Sequence, residues 1–237
     1  MNETTRDPLN ILCAGAVQGI VKALQATFER EAGTPVEARF GAVGVLREAL
    51  QGGAACDVLI VTDAMVAALQ ADGTLAPDLR APLGRVRTGV AVREGEPVPG
   101  VSTPDALRAA LLGASAVYFP DPQRSTAGIH FASVLAQLGI GPALEGKVRN
   151  FPNGATSMRE LASAAPGAIG CTQITEILYS PGIVLAGPLP DAFELATVYS
   201  AAVPVRASRP DLARRFIDLL AGEGSRTLRA DGGFEFN

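Results

Sequence analysis

The sequence has no tryptophan, a single histidine and only three cysteines, and these shortages exclude several kinds of site. Cys13, Cys56 and Cys171 are an odd number, lie far apart and form no Cys-x-x-Cys pair. They therefore predict neither a disulfide framework nor, together with His130, a zinc site. We expect no structural metal and no cofactor, and at strand-like positions each thiol is expected to act as a small buried hydrophobic group.

Long apolar runs and blocks of one charge are also missing. No run approaches the roughly 18 apolar residues of a membrane-spanning helix, and the 20 Lys and Arg residues are scattered through a chain of net charge -4. We therefore expect a monomer that neither inserts into a membrane nor binds nucleic acid. Residues 1–8 are polar and show no export signal. This predicts a cytoplasmic location, or a periplasmic one if a leader has been removed.

What the sequence does contain is a regular alternation of short apolar strands, glycine turns and amphipathic helices. Val17, Ile20, Val21, Leu24 and Phe28 fall on one helical face. Strands are predicted at 9–13, 36–40 and 57–61, helices follow each of them, and Asp63 is expected to cap the third helix. Such alternation is typical of a parallel sheet covered by helices, so the fold class is predicted to be α/β.

The alternation continues to the end of the chain. A strand is predicted at 87–92, a helix after Thr103-Pro104, a helix from Ser157, and a helix over 210–220. Further strands are predicted at 115–119, 147–151, 168–172, 183–186 and 197–205.

Four stretches of the sequence, in this order, resemble the periplasmic molybdate-binding protein family and its relatives among the type 2 solute-binding proteins. The stretches are LNILCAGAVQGIVKAL, FGAVGVLREALQGGAACDVLIVTD, DPQRSTAGIHFASVLAQLGI and GAIGCTQITEILYSPGIVLAGPLP. The resemblance implies a two-lobed periplasmic-binding-protein-like α/β fold of type 2, with two hinge crossovers. Lobe I would comprise 1–84 plus 200–237 and lobe II 85–199, with a ligand cleft between them that closes by hinge motion.

The resemblance also implies that a small anion binds at the strand-to-helix turns. Backbone N–H groups at a helix start lack intrahelical partners and carry the positive end of the helix dipole. Glycine at Gly15, Gly44 and Gly128 would let a ligand approach the backbone, or would serve only turn geometry and packing. The contacts carried over by motif are Gly15, Ala16, Val43, Gly44, Thr126, Ala127, Ser157 and Gln173.

Three of these positions depart from the molybdate pattern. The related proteins carry serine hydroxyls where this chain has Ala16 and Val43, and a tyrosine where it has Gln173. Each missing hydroxyl removes a donor to a buried oxyanion, and an unpaired buried oxygen costs about 1–3 kcal/mol. The departures disfavour molybdate and make a small organic acid an alternative ligand.

The third turn is richer in polar side chains than the first two. Arg124, Ser125, Thr126 and His130 lie within seven positions, and an Arg fork beside hydroxyls suits a carboxylate as well as a tetrahedral oxyanion. Arg124 is either a ligand contact or a solvated loop residue. His130 either faces the cleft as a neutral base or is a half-buried side chain bonded to the backbone.

These sequence features support two hypotheses about the function. The first is a solute-binding protein that captures a small anion, partnered by the permease of an ABC transporter or acting as a sensor. The second is an aconitate isomerase-like enzyme on the same fold, in which His130 or the Cys13 thiolate would move a proton on a small polycarboxylate. A third hypothesis is a hydrolase that pairs Cys13 or Cys171 with His130. The sequence identifies no third residue that would orient this pair.

Overall fold

Strands and helices alternate throughout the computed structural model, which describes residues 7–236. The strands are Leu9–Ala14 (β1), Val36–Gly41 (β2), Val58–Thr62 (β3), Leu75–Arg93 (β4), Val117–Pro120 (β5), Val148–Phe151 (β6), Ile169–Gln173 (β7), Ile183–Pro188 (β8) and Ala196–Pro204 (β9). The helices are Gln18–Ala32 (α1), Val43–Gln51 (α2), Asp63–Ala71 (α3), Pro104–Gly113 (α4), Thr126–Gln137 (α5), Gly154–Ala162 (α6), Ile174–Tyr179 (α7), Pro210–Ala221 (α8) and Arg226–Asp231 (α9). The predicted α/β class is confirmed.

The chain divides into two compact units. The first contains the described residues up to Gly41, Val45–Gly84 and the residues from Val198 onward, and the second contains Ala42–Gly44 and Arg85–Thr197. The lobes expected from the sequence place the second crossing two residues later, at 199/200, and assign residues 42–44 to the first lobe. Their role as ligand-clamping lobes stays a prediction.

In the first unit, the strand order is β2-β1-β3-β9. Strand β1 is parallel to β2 and β3, with Ala14 beside Gly41 and Cys13 beside Ile60, whereas β9 is antiparallel to β3. The carboxyl ends of the three parallel strands therefore lie at one edge of the sheet. Helix α1 packs on α8, where the rings of Phe28 and Phe216 meet edge to face with centroids 5.0 Å apart.

In the second unit, β5 lies between β6 and β7 and is parallel to both, and β4 is antiparallel to β7 and to β8. Strands β5, β6 and β7 therefore end at one edge, and α5, α6 and α7 begin there. The core beneath α4 and α5 includes the edge-to-face pair Phe119 and Phe131, with centroids 5.2 Å apart. We call this edge of the second unit the strand-end edge.

Four details of the predicted elements are wrong. Strand β4 begins at Leu75, twelve residues before the predicted start; its first half contains Pro77 and Pro82, which interrupt a hydrogen-bonded ladder and hide the strand in the sequence. Helix α3 is capped by the Thr62 hydroxyl, which accepts the Met65 N–H, rather than by Asp63. Helix α6 begins at Gly154 rather than Ser157, and the short helix α7 was not predicted.

Among residues 7–236, no helix is long and apolar enough to cross a bilayer.

Candidate functional site at the strand-end edge

The strand-end edge brings together most of the predicted contacts of the second unit. Ser125, Thr126 and Ala127 lie where α5 follows β5, and Gln173 is the last residue of β7. In the β4–β7 ladder, Thr88 lies directly opposite Gln173. Ligands of open α/β sheets bind at the carboxyl ends of parallel strands, and this is the corresponding edge here.

The start of α5 is left without a side-chain cap. The Asp121 carboxylate shapes the preceding turn by accepting the N–H groups of Gln123 at 2.7 Å and Arg124 at 3.2 Å. Ser125 is the N-cap residue and is buried, but its side chain makes no capping hydrogen bond. The first N–H groups of α5 have no intrahelical partner, so the helix start has the polarity that binds an anion.

Gly44 and Gly128, which are predicted to let a ligand approach the backbone, also have structural roles within the protein. The Gly44 N–H donates to the Arg124 carbonyl oxygen at 3.2 Å. A Cβ at Gly128 would overlap the carbonyl oxygens of Pro120 and Asp121, so close packing of α5 on β5 requires glycine there. The Arg124 residue itself is exposed.

Gln173 is the most informative residue at this edge. Its side chain is 2% exposed, and within the described part of the chain neither its amide oxygen nor its amide nitrogen has a hydrogen-bond partner. Thr88, opposite it, is 1% exposed, and its hydroxyl also has no partner in the described part of the chain. An unpaired buried polar atom costs about 1–3 kcal/mol, so this pair requires an explanation such as a bound polar molecule.

Glu176 is a buried acid that sequence reasoning missed. The Thr172 hydroxyl donates to its Oε2 at 2.5 Å, and the backbone N–H groups of Gln173 and Ala155 also donate to the carboxylate. Burial outweighs these bonds and raises the pKa of Glu176 to about 7. The spacing from Gln173 to Glu176 is that of an N-cap residue and a third-position glutamate, a capping signal that could have identified it.

Two predicted site residues use their polar atoms within the second unit. The Nε2 of half-buried His130 donates to the Phe193 carbonyl oxygen at 2.8 Å, which leaves Nδ1 as its acceptor atom. The Ser157 hydroxyl is fully buried, lies one turn inside α6, and donates to the Asn153 carbonyl oxygen at 3.1 Å. Asn153, rather than Ser157, caps α6 by accepting the Thr156 N–H at 2.8 Å.

The remaining predicted contacts are apolar. Gly15 and Ala16 form a 3-10 turn after β1, with Ala16 buried, and Val43 is a buried residue at the first position of α2. None of these side chains supplies a donor. At these positions only backbone N–H groups are available to an anion.

The thiols are poorly placed for nucleophilic chemistry. Cys13 and Cys171 are completely buried, and burial raises the pKa of each thiol. The nucleophile is the thiolate, and burial disfavours it. In the part of the chain that the structure describes, no cluster of three or more His, Cys, Asp or Glu side chains is arranged to hold a metal.

Comparison with known proteins gives matches over almost the whole chain. The sequence profile described as bacterial extracellular solute-binding protein matches residues 9–235. An aconitate isomerase from Pseudomonas sp is 26% identical over 96% of this chain and 87% of its own length. The periplasmic molybdate-binding protein of Azotobacter vinelandii has a TM-score of 0.78 at 18% identity, covering 97% of this chain and 99% of its own. The sulfate-binding protein SubI of Mycobacterium tuberculosis has a TM-score of 0.70 at 16% identity, covering 97% and 86%.

Proposed function

Because this chain belongs to the bacterial extracellular solute-binding protein family, we propose that it captures a small carboxylate anion at the strand-end edge of its second unit. The resemblance stated from the sequence is confirmed by the family match and by the fold of its structural neighbours. The predicted location of the ligand in a cleft between lobes stays a prediction. A periplasmic location, a monomeric state and partnership with an ABC transporter permease belong to the same proposal.

The observation that carries this proposal is the buried, unpartnered amide of Gln173. It lies at the carboxyl end of β7, at the same edge as the uncapped start of α5. Such an amide donates two N–H groups, and the helix start adds backbone N–H groups and a positive dipole end. Together they provide neutral donors for a negatively charged group.

The donors favour a carboxylate over a tetrahedral oxyanion. A tetrahedral oxyanion needs donors on all sides, and in this unit Val43, where the resemblance implies a serine, supplies no side-chain donor. A carboxylate is planar, so donors along one edge, such as those at Gln173 and the start of α5, suit it better. The aconitate isomerase relative acts on an acid of this class, according to its name.

A ligand panel tests the proposal directly. Melting temperatures would be measured with citrate, cis-aconitate, trans-aconitate, molybdate, tungstate, sulfate and phosphate. A ligand present at about 100 times its dissociation constant adds about 2.7 kcal/mol to the free energy of unfolding. We expect the organic acids to raise the melting temperature, and a response to tetrahedral oxyanions alone would contradict the proposal.

The second candidate function is an isomerase acting on a small polycarboxylate. The Glu176 carboxyl favours it, since a pKa of about 7 suits a group that takes up and returns a proton near neutral pH. An allylic shift takes a proton from one carbon, moves the double bond, and returns a proton to another carbon. His130 is the other candidate, and since its Nε2 donates to the Phe193 carbonyl oxygen, a proton transfer by this residue would use Nδ1.

Proton NMR of cis-aconitate and trans-aconitate in deuterated water tests this second candidate. Turnover would exchange a carbon-bound proton for deuterium and produce the other isomer, and Glu176→Gln should abolish both signals while citrate still binds. His130→Ala should retain turnover if Glu176 is the base. If no carbon-bound proton exchanges over hours, the isomerase function is contradicted and only the binding function remains.

A further inference from the structure

Four polar side chains of the second unit are buried without any hydrogen-bond partner among residues 7–236. They are Thr88, Gln173, Thr175 and Thr197, with exposed fractions of 1%, 2%, 6% and 9%. None of the three threonines is a position that the sequence or its resemblance singled out. Isolated unpartnered groups occur in most proteins, but four such side chains in neighbouring segments are unusual.

The four side chains come from segments that adjoin one another. Thr88 and Gln173 are opposite residues of the antiparallel β4–β7 ladder, so their side chains lie on the same face with Cβ atoms about 5 Å apart. Thr175 is two residues further on, in the first turn of α7. The Thr88 N–H donates to the Leu195 carbonyl oxygen at 3.1 Å, which brings β4 beside the chain two residues before Thr197.

These four side chains include both hydrogen-bond donors and hydrogen-bond acceptors. Each threonine hydroxyl both donates and accepts, the Gln173 nitrogen donates twice, and the Gln173 oxygen only accepts. No threonine hydroxyl donates to that oxygen. Exchanging the two ends of the amide changes nothing, because both ends lack a partner.

A ligand that only accepts hydrogen bonds cannot pair with every polar atom of these four side chains. A fully ionised carboxylate or a tetrahedral oxyanion offers acceptors to the threonines and to the amide nitrogen, but it offers no proton to the amide oxygen. A hydroxyl group does both, since it donates one hydrogen bond and accepts others. Because the Gln173 amide oxygen only accepts, it requires a donor such as a hydroxyl beside the carboxylate that the amide nitrogen binds.

Resting on the proposed function, we infer that the ligand is a hydroxycarboxylate held among Thr88, Gln173, Thr175 and Thr197. Its hydroxyl group donates to the Gln173 amide oxygen and accepts from Thr88 and one further threonine, while its carboxylate accepts from the Gln173 amide nitrogen. We call these four residues the hydroxyl subsite. The carboxylate of the same ligand would lie toward the start of α5. A site built to hydrogen-bond a hydroxyl discriminates strongly against an analogue that lacks it, because its buried polar groups then stay unpaired.

Pairs of acids that differ only by a hydroxyl provide the test. Dissociation constants would be measured by calorimetry for citrate against tricarballylate, which has the same three carboxylates, and for malate against succinate. We expect the hydroxy acid to bind at least about 10-fold more tightly in one of the two pairs. Thr88→Val, which keeps the side-chain shape, should reduce this preference to about 1 with little change for the acid that lacks the hydroxyl.

Thr34→Val is the matched control. The Thr34 side chain is also buried, but it lies in the first unit and its hydroxyl donates to the Ala32 carbonyl oxygen at 3.5 Å. This variant should keep the full preference for the hydroxy acid. A loss of preference in both variants would point to a general effect on folding and would overturn the assignment.

The possible results distinguish a failure of the hydroxyl subsite from a failure of the proposed carboxylate binding. Equal binding of both members of each pair, or a preference that survives Thr88→Val, would overturn the hydroxyl subsite while leaving carboxylate binding in place. Failure of every organic acid to bind would overturn both. In that case the unpaired atoms of the subsite are satisfied by water only.

Discussion

At the scale of single residues, the buried carboxyl group of Glu176 ties together the starts of α6 and α7. It accepts the Ala155 N–H from one helix and the Gln173 N–H from the other, beside the Thr172 hydroxyl. Burial raises its pKa from 4.5 to about 7. Between these values, the folded protein holds a proton that the unfolded chain has lost.

We therefore predict that Glu176 makes stability fall as the pH rises. Its contribution is fully present below its ordinary pKa of 4.5 and is lost as the pH passes through about 7, a change of up to about 3 kcal/mol. Glu176→Gln keeps the shape but cannot ionise. In urea unfolding, wild type should lose stability relative to this variant between about pH 5 and about pH 8. A constant difference would contradict the shifted pKa.

Gly154 shows why one position beside Glu176 cannot carry a side chain. A Cβ there would overlap the Glu176 carboxylate and the Thr172 hydroxyl. Gly154→Ala should lower the free energy of unfolding by about 2 kcal/mol, because both groups are buried and bonded to each other. Gly113→Ala in α4 is the control: no atom lies within 4 Å of its added Cβ, so it should be neutral or stabilise by up to about 1 kcal/mol.

At the scale of elements, one carboxylate connects β1, β3 and the start of α8. Asp57 precedes β3, and its Oδ2 accepts the Asn10 N–H of β1 at 2.9 Å. Its Oδ1 accepts the Ser208 N–H and hydroxyl, both at 2.8 Å, and the Arg209 N–H at 3.0 Å. Burial opposes ionisation, but these donors outweigh it and hold the pKa of Asp57 below its usual value.

Asp57→Asn should therefore destabilise the first unit. An asparagine side chain offers only one accepting atom to donors on both sides, so we expect a loss of about 2–3 kcal/mol in urea unfolding at neutral pH. The loss should shrink as the pH falls through the folded pKa of Asp57, because protonation removes the same interaction from wild type. Asp72→Asn is the control. That exposed carboxylate accepts the N–H of Thr74 at 3.0 Å and also bonds the Thr74 side chain, and its replacement should leave the free energy of unfolding almost unchanged.

Three helix starts that look alike in the sequence are capped differently in the structure. Thr62 and Thr103 cap α3 and α4 through their hydroxyls, whereas Ser125 leaves the start of α5 open. All three residues are of types that favour the N-cap position. The sequence could therefore not distinguish the open start, because capping depends on the side-chain conformation that the surrounding elements permit.

At the scale of the whole molecule, binding and stability should oppose each other at Gln173. Gln173→Leu removes two unpaired buried polar atoms and keeps the approximate volume, so the ligand-free protein should unfold at a higher temperature, by about 1 kcal/mol or more in free energy. The same variant should lose most of the melting-temperature rise that citrate gives wild type. A variant that is destabilised yet keeps the full citrate response would show that Gln173 serves the fold and not the ligand.

The sequence alone determined the α/β class, the positions of most strands and helices, and the resemblance to a solute-binding family, because these depend on local periodicity, glycine and cap residues. The tertiary structure alone revealed the burial of Glu176 and the unpaired state of Thr88, Gln173, Thr175 and Thr197. It also showed that Ser157 and His130 bond to carbonyl oxygens of the chain. Whether a polar atom has a partner depends on the segments that fold against it, and those segments are distant in the sequence.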